Sequence, residues 1–151
     1  MRTLLASVAA LALSAGASAQ EDLRSAVEAD YSDYLESLYQ HFHANPELSL
    51  MEVETAARLA EEIRSLGFEV TENVGGTGLV AVMENGEGPT LMLRADMDGL
   101  PIEENTGLDY ASTATGTDRR GQESHVMHAC AHDTHMTALV GAARQMVERR
   151  E

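Results

Sequence analysis

A chain of 151 residues is at most one domain. It carries 25 acidic against 10 basic residues, a formal charge of −15, and every basic residue is arginine. A surface this acidic argues against nucleic acid and anionic membranes as partners, and a single cysteine excludes an internal disulfide.

The amino terminus reads as a leader. Met1-Arg2-Thr3 is a short basic start, and Leu4 to Leu13 is an apolar run too short to cross a membrane as a helix. Ala17-Ser18-Ala19 forms a small-x-small cleavage site. The expected division is a signal peptide over residues 1–19 and a mature chain over residues 20–151, exported to the periplasm or the medium. The rival, an uncleaved anchor, fits the short run and the cleavage site less well.

Residues 22–43 read as a helix, with Leu23, Val27, Tyr31, Tyr34, Leu35, Leu38 and Phe42 near helical spacing. Asn45-Pro46 breaks it, because proline lacks the N–H and restricts the residue before it. A second helix is expected over 49–66, with Val53, Ala56, Ala57, Ala60, Ile63 and Leu66 on one face and Gly67 as its stop. The period then changes. Residues 68–74 and 79–83 read as strands joined by the glycine-rich turn at 75–78, and Asn85-Gly86-Glu87-Gly88 is a hairpin signal. Thr90-Leu91-Met92-Leu93 is a third expected strand, apolar without alternation and so expected to be buried on both faces of an α/β sheet. Arg94 to Pro101 leaves it at the carboxyl end, where α/β sheets place their active sites. Residues 103–124 read as a loop with a short hairpin. A final helix is expected to begin at an Asp133 or Thr134 cap, with Met136, Leu139, Val140, Ala143, Met146 and Val147 as its apolar face.

At the junction of loop and helix stand His128, Cys130, His132, Asp133 and His135, with three of the six histidines and the one cysteine within eight residues. A thiol among imidazoles is a soft-metal donor set. A buried structural thiol is the bland alternative, but the neighbours are polar and ionisable, and that favours a ligand. Cys130 and His132 can reach one ion only if the helix starts after them, since residues two apart on a helix diverge. His128 is a further ligand or a wall of the pocket. Asp133 either accepts the second N–H of a ligand imidazole or caps the helix, and His135 is a site wall or helix surface. Asp96 and Asp98 are ordinary turn aspartates, or one of them accompanies the metal. Arg94 is a partner for either carboxylate.

Three stretches then coincide in order: His43-Ala44-Asn45-Pro46-Glu47-Leu48 with Glu54-Thr55, Arg94-Ala95-Asp96-Met97-Asp98-Gly99-Leu100-Pro101-Ile102, and Met127 to His135 with Gly141-Ala142-Ala143. Together they resemble the amino-terminal part of the M20 metallopeptidases, in the branch of N-acyl-amino-acid amidohydrolases, hippurate hydrolases and auxin-conjugate hydrolases. The resemblance implies an α/β fold, the amino-terminal part of a three-layer α/β/α zinc-peptidase-like catalytic domain over residues 20–151, with the lid or dimerisation domain absent. It implies hydrolysis of the amide between an acyl group and an amino acid, with one or two divalent ions, zinc or manganese. Cys130 and His132 match metal-ligand positions, and Asp96 matches a catalytic acidic position. His128, Asp133, His135 and Asp98 are then supporting residues. The substrate implied is a small N-acyl amino acid or a short peptide, and full-length relatives pair through the absent domain.

Two departures stand out. The family has glycine where this chain has Ala131, and if that position is left-handed, alanine costs about 1–2 kcal/mol. The family's proton-transferring glutamate and its remaining ligands match nothing in these 151 residues, so the sequence is expected to encode an amidohydrolase portion that is inactive alone. The rivals are a non-catalytic metal-binding remnant and a fragment completed by a partner.

Overall fold

The computed structural model describes residues 20–150; the expected leader lies outside them. Residues 20–30 form helix α1, which runs through one π-helical turn, Tyr31–Leu35, into α2, Glu36–Ala44. Leu35, Leu38 and Phe42 of the expected stripe are buried, whereas Leu23 and Val27, ahead of the π turn, and Tyr31, at its start, are exposed. The rod stops at Asn45, whose side-chain amide donates to the His41 carbonyl at 2.7 Å. That contact satisfies one of the carbonyls a helix end leaves open.

Helix α3, Val53–Ser65, starts later than expected. Leu50 turns left-handed at φ 65° ahead of it. The Glu47 carboxylate, next to Pro46, receives the N–H groups of Thr55 at 2.7 Å and Glu54 at 3.2 Å, which caps the first turn with an anion where the helix dipole favours one. Gly67, at φ 91°, ends the helix as anticipated.

Strands β1, Glu69–Val74, and β2, Gly78–Val82, form an antiparallel hairpin with Glu69 opposite Val82 and Val70 opposite Ala81. Val70, Leu79 and Ala81 pack toward the helices, and Val80 and Val82 face out. That is the alternation of a sheet covered on one face. The core beneath joins Leu35, Leu38 and Phe42 to Leu59 and Ile63 of α3 and to Met136, Val140 and Ala143 of the last helix.

The third expected strand is corrected. Residues 90–98 lie outside any strand, and Leu91, Met92 and Leu93 are 70%, 83% and 46% exposed. An unalternating apolar run forms a central strand only with neighbours on both edges, and the described residues pair nothing with it. The Asn85-Gly86 signal is likewise a bend and not a paired hairpin.

The loop from 103 to 124 does carry a short hairpin, β3, Thr115–Thr117, against β4, Glu123–His125. Two bridges tie the chain around it. Gly99 N–H donates to the Glu47 carbonyl at 2.7 Å, and Leu100 exchanges hydrogen bonds with Met127 at 2.8 and 3.0 Å. Gly99 is required by crowding: a Cβ there would lie 2.7 Å from Val126 and 2.9 Å from Pro46. Helix α4, His132–Glu148, closes the fold. Arg144 of α4 grips Asp30 at the end of α1 through both carboxylate oxygens. Among the described residues, no helix is long and apolar enough to cross a membrane. The architecture is mixed α/β.

Candidate metal centre

Helix α4 begins one or two residues earlier than the expected cap. His132 is its first residue, and Asp133 lies in its first turn. The residue before it, Ala131, is left-handed at φ 61°, ψ 30°, and contributes no side-chain cap. The sharp turn lifts Cys130 off the helix and leaves its thiol exposed. His132 and His135 are three apart on the helix and so share a face, with ring centroids 5.5 Å apart.

That face looks onto residues 94–98. One oxygen of Asp96 stands 3.7 Å from His132 Nε2, while the other pairs with the Arg94 guanidinium. The His132 ring is oriented from behind: Nδ1 donates to the Asp98 carbonyl at 2.9 Å, with the Asp98 carboxylate at 3.1 Å. A carbonyl can only accept, so the proton sits on Nδ1 and the Nε2 lone pair points toward Asp96. One donor atom each from Asp96, His132 and His135 lies within 4.8 Å of the others. A carboxylate and two imidazoles, one held in its ligating tautomer, form a cluster able to hold a divalent ion. Asp96 and His135 also line a shallow groove with Leu93, Ala95, Ala138 and Leu139.

The other expected residues distribute around this cluster. Cys130 lies outside the three-donor group. Asp98 supports His132. His128 is buried, and neither ring nitrogen has a hydrogen-bond partner among the described residues. Burial holds its proton affinity below the usual imidazole range, and nearby His132 and His43 act in the same direction against Asp133. Asp133 turns away from the cluster, and its Oδ2 meets His43 Nδ1 at 2.7 Å.

His43 and Glu104 are the residues that the pattern of motifs passed over as functional side chains. His43 Nε2 lies 3.0 Å from Glu104 Oε1, so a carboxylate stands at each ring nitrogen. Burial opposes charge on this imidazole, but hydrogen bonds to Glu104 and Asp133 outweigh it and raise its pKa. The Glu104 side chain is buried and opposed by desolvation, yet the Thr106 hydroxyl, His43 and the Ser112 N–H at 2.6 Å together lower its pKa. His43 was visible only as part of a motif, and Glu104 carried no signal in a loop.

Residues 92–151 match the family described as Peptidase family M20/M25/M40. The chain is 39% identical over 132 residues to the putative amidohydrolase YhaA of Bacillus subtilis, covering 87% of this chain and 31% of that protein. It is 38% identical over 121 residues to the hippurate hydrolase of Campylobacter jejuni, covering 80% and 29%. Among solved structures, the Bacillus subtilis YXEP protein, described as a dinuclear metal binding peptidase from the M20 family, aligns with a TM-score of 0.68 at 32% identity, over 82% of this chain and 32% of that one. Fold and donor cluster thus define a class of α/β domain able to hold a divalent metal. Within it the chain belongs to the M20 peptidase superfamily, with partial, amino-terminal coverage of the shared domain. It spans just under a third of the length of these relatives.

Proposed function

We propose that this chain is the amino-terminal, metal-holding portion of an exported M20-type amidohydrolase that cleaves the amide bond of N-acyl amino acids of the hippurate kind. The convergence of Asp96, His132 and His135, with His132 turned by Asp98, carries the reading. The similarity to a hippurate hydrolase supports the substrate class. Asp96 and His132 would hold the ion with His135 beside it, and the exposed Cys130 thiol, in the turn just ahead, would serve as a further soft ligand. Zinc suits that set, and manganese suits its carboxylate and imidazoles. When bound, such an ion supplies the Lewis acidity that lets water attack an amide near neutral pH. Arg94 pins Asp96 in place through an ion pair, and Asp98 keeps the His132 lone pair aimed outward. His128 walls the site as a neutral ring.

Among the described residues, the donor group contains no glutamate to carry the proton to the leaving amine. The 151-residue chain alone is therefore proposed to bind metal without turnover. The exposed Leu91 to Leu93 run supports a three-layer α/β/α domain whose central sheet further polypeptide completes, as does the greater length of the relatives.

The test has three parts. Calorimetric titration of the purified chain with zinc is expected to show binding that His132→Ala removes; no binding by the unaltered chain sinks the reading. Hippurate and acetylated amino acids are expected to stay intact with the chain alone and to be hydrolysed by protein expressed through and beyond the Glu151 codon. Mass spectrometry of exported material is expected to find Gln20 at the amino terminus.

A further inference from the structure

Three segments meet at one buried side chain. His43 is the penultimate residue of α2, Asp133 lies in the first turn of α4, and Glu104 comes from the long loop between them in space. The side chains of His43, Glu104 and Asp133 are 7%, 0% and 3% exposed. Tyr110 and Tyr39 wall the imidazole, with ring centroids 5.2 and 5.6 Å away. Each nitrogen faces an acceptor-only group, so the ring serves as a double donor. Loop and helix are thereby joined through it.

The helix that receives this contact lacks the ordinary means of fixing its start. Ala131 occupies the cap position with a methyl group, in a left-handed conformation. The Asp133 carboxylate substitutes in part: Oδ1 accepts the Thr134 N–H at 2.8 Å while Oδ2 is held by His43. His132, the cluster imidazole, is the immediate neighbour of Asp133, and His135 is two residues beyond. The rotation of that first turn decides whether both imidazoles look toward Asp96.

We propose that His43 is a positioning residue for the metal centre: by gripping Asp133 it locks the first turn of α4 in the rotation that aims His132 and His135 at Asp96. This rests on the metal-holding function proposed above. His43 touches none of the three donors, so its influence passes through Asp133 alone. Glu104, anchored by Ser112 N–H and the Thr106 hydroxyl, holds the far side of the ring and keeps Nδ1 in place.

Two isosteric replacements separate this role from plain support of the fold. In His43→Asn the amide nitrogen lies where Nδ1 donates, so the contact to Asp133 survives. In His43→Gln the amide nitrogen lies near the Nε2 position, so the contact to Glu104 survives and Asp133 is released. Cobalt(II) is the probe, titrated into the full chain against a competing chelator, with the visible ligand-field spectrum recorded. The Asn variant is expected to bind within about threefold of the unaltered chain, and the Gln variant about tenfold more weakly, at the lower end of the loss for groups that orient ligands. The Gln variant is also expected to show a changed band shape. Circular dichroism verifies equal folding.

Equal cobalt affinity and an unchanged spectrum in a folded His43→Gln variant would overturn the proposal, and so would equal losses in both variants. If the variants do not fold, zinc titration of the unaltered chain decides. The His43 Nδ1–H resonance is expected to shift with the same midpoint as the His132 signals, and an unmoved resonance rejects the role. Failure of the unaltered chain to take up cobalt at all removes the metal centre itself and His43's role with it, which is a different outcome from either variant result.

Discussion

The imidazole Nδ1 of His132 lies 2.9 Å from the carbonyl oxygen of Asp98, a main-chain acceptor 34 residues earlier in the chain. The ring is thus turned by backbone that is itself pinned one residue later, where Gly99 N–H meets the Glu47 carbonyl at 2.7 Å. The motif around Pro46 reaches the candidate metal centre by this route, though it contributes no donor to it.

A main-chain acceptor survives substitution of its side chain. Asp98→Ala is therefore expected to weaken zinc binding by less than about tenfold, below the upper range for loss of a group that orients a ligand. His132→Ala removes a donor and is expected to cost more than about a hundredfold. Calorimetry on both variants checks the ratio, and equal losses would place the carboxylate of Asp98, not its carbonyl, in control of the ring.

Cys130 is exposed beside the three-donor group. If its thiolate joins the bound ion, Cys130→Ser lowers zinc affinity strongly and manganese affinity little, because sulfur favours the softer ion. Paired titrations with the two metals read this directly. Unchanged zinc binding would leave the carboxylate and imidazoles as the whole of the chain's contribution.

The left-handed Ala131 carries a steric cost of about 1–2 kcal/mol relative to a residue free to adopt that conformation. Glycine removes the strain but gives the unfolded chain more freedom, an opposing effect of about 0.5–1 kcal/mol. Ala131→Gly is expected to raise stability by up to about 1 kcal/mol in urea melts. A decrease would mean that the methyl group makes a contact worth more than its strain.

The triad around His43 gives stability a pH window. The folded His43 pKa is raised, so its contribution is full below the unfolded value of about 6.5 and is lost as pH climbs through the higher folded one. The folded Glu104 pKa is lowered, so its contribution is present above an unfolded value of about 4.3 and is lost as pH falls through the lower folded one. Asp133, Tyr39, Tyr110 and His128 are the other titratable groups near the ring. Denaturation midpoints are expected to be highest between these limits and to decline on the alkaline side. In His43→Gln that alkaline decline should flatten, and an unaltered profile would refute the assignment.

Much of the helical scaffold was legible because its burial is periodic. Leu35, Leu38 and Phe42, Ala56, Ala60 and Ile63, and Met136, Val140 and Ala143 all announced a face that the structure buries. Residues 90–93 misled for a physical reason. Hydrophobicity without alternation reports what a segment needs, two covered faces and two paired edges, and says nothing of whether the described residues supply them. At the candidate centre, His132 stood out by residue type, whereas spacing left Asp96 and His135 each with an ordinary reading beside the functional one, and Cys130, expected beside His132, lies outside the group that converges. Asp98 was expected as a supporting residue, but the route of its support to His132 was not legible, since it runs through a carbonyl that every residue possesses. The His43 to Glu104 and His43 to Asp133 contacts bridge 61 and 90 residues, distances over which no periodicity speaks.

Asp30 is clasped by Arg144 and Gln145, while the ten residues from 20 to 29 are nearly all solvent-facing. Chemistry at that stretch is uncoupled from the rest of the molecule by the clasp. A fluorophore or affinity handle attached ahead of Asp30 can report on the chain without disturbing the centre that α4 carries.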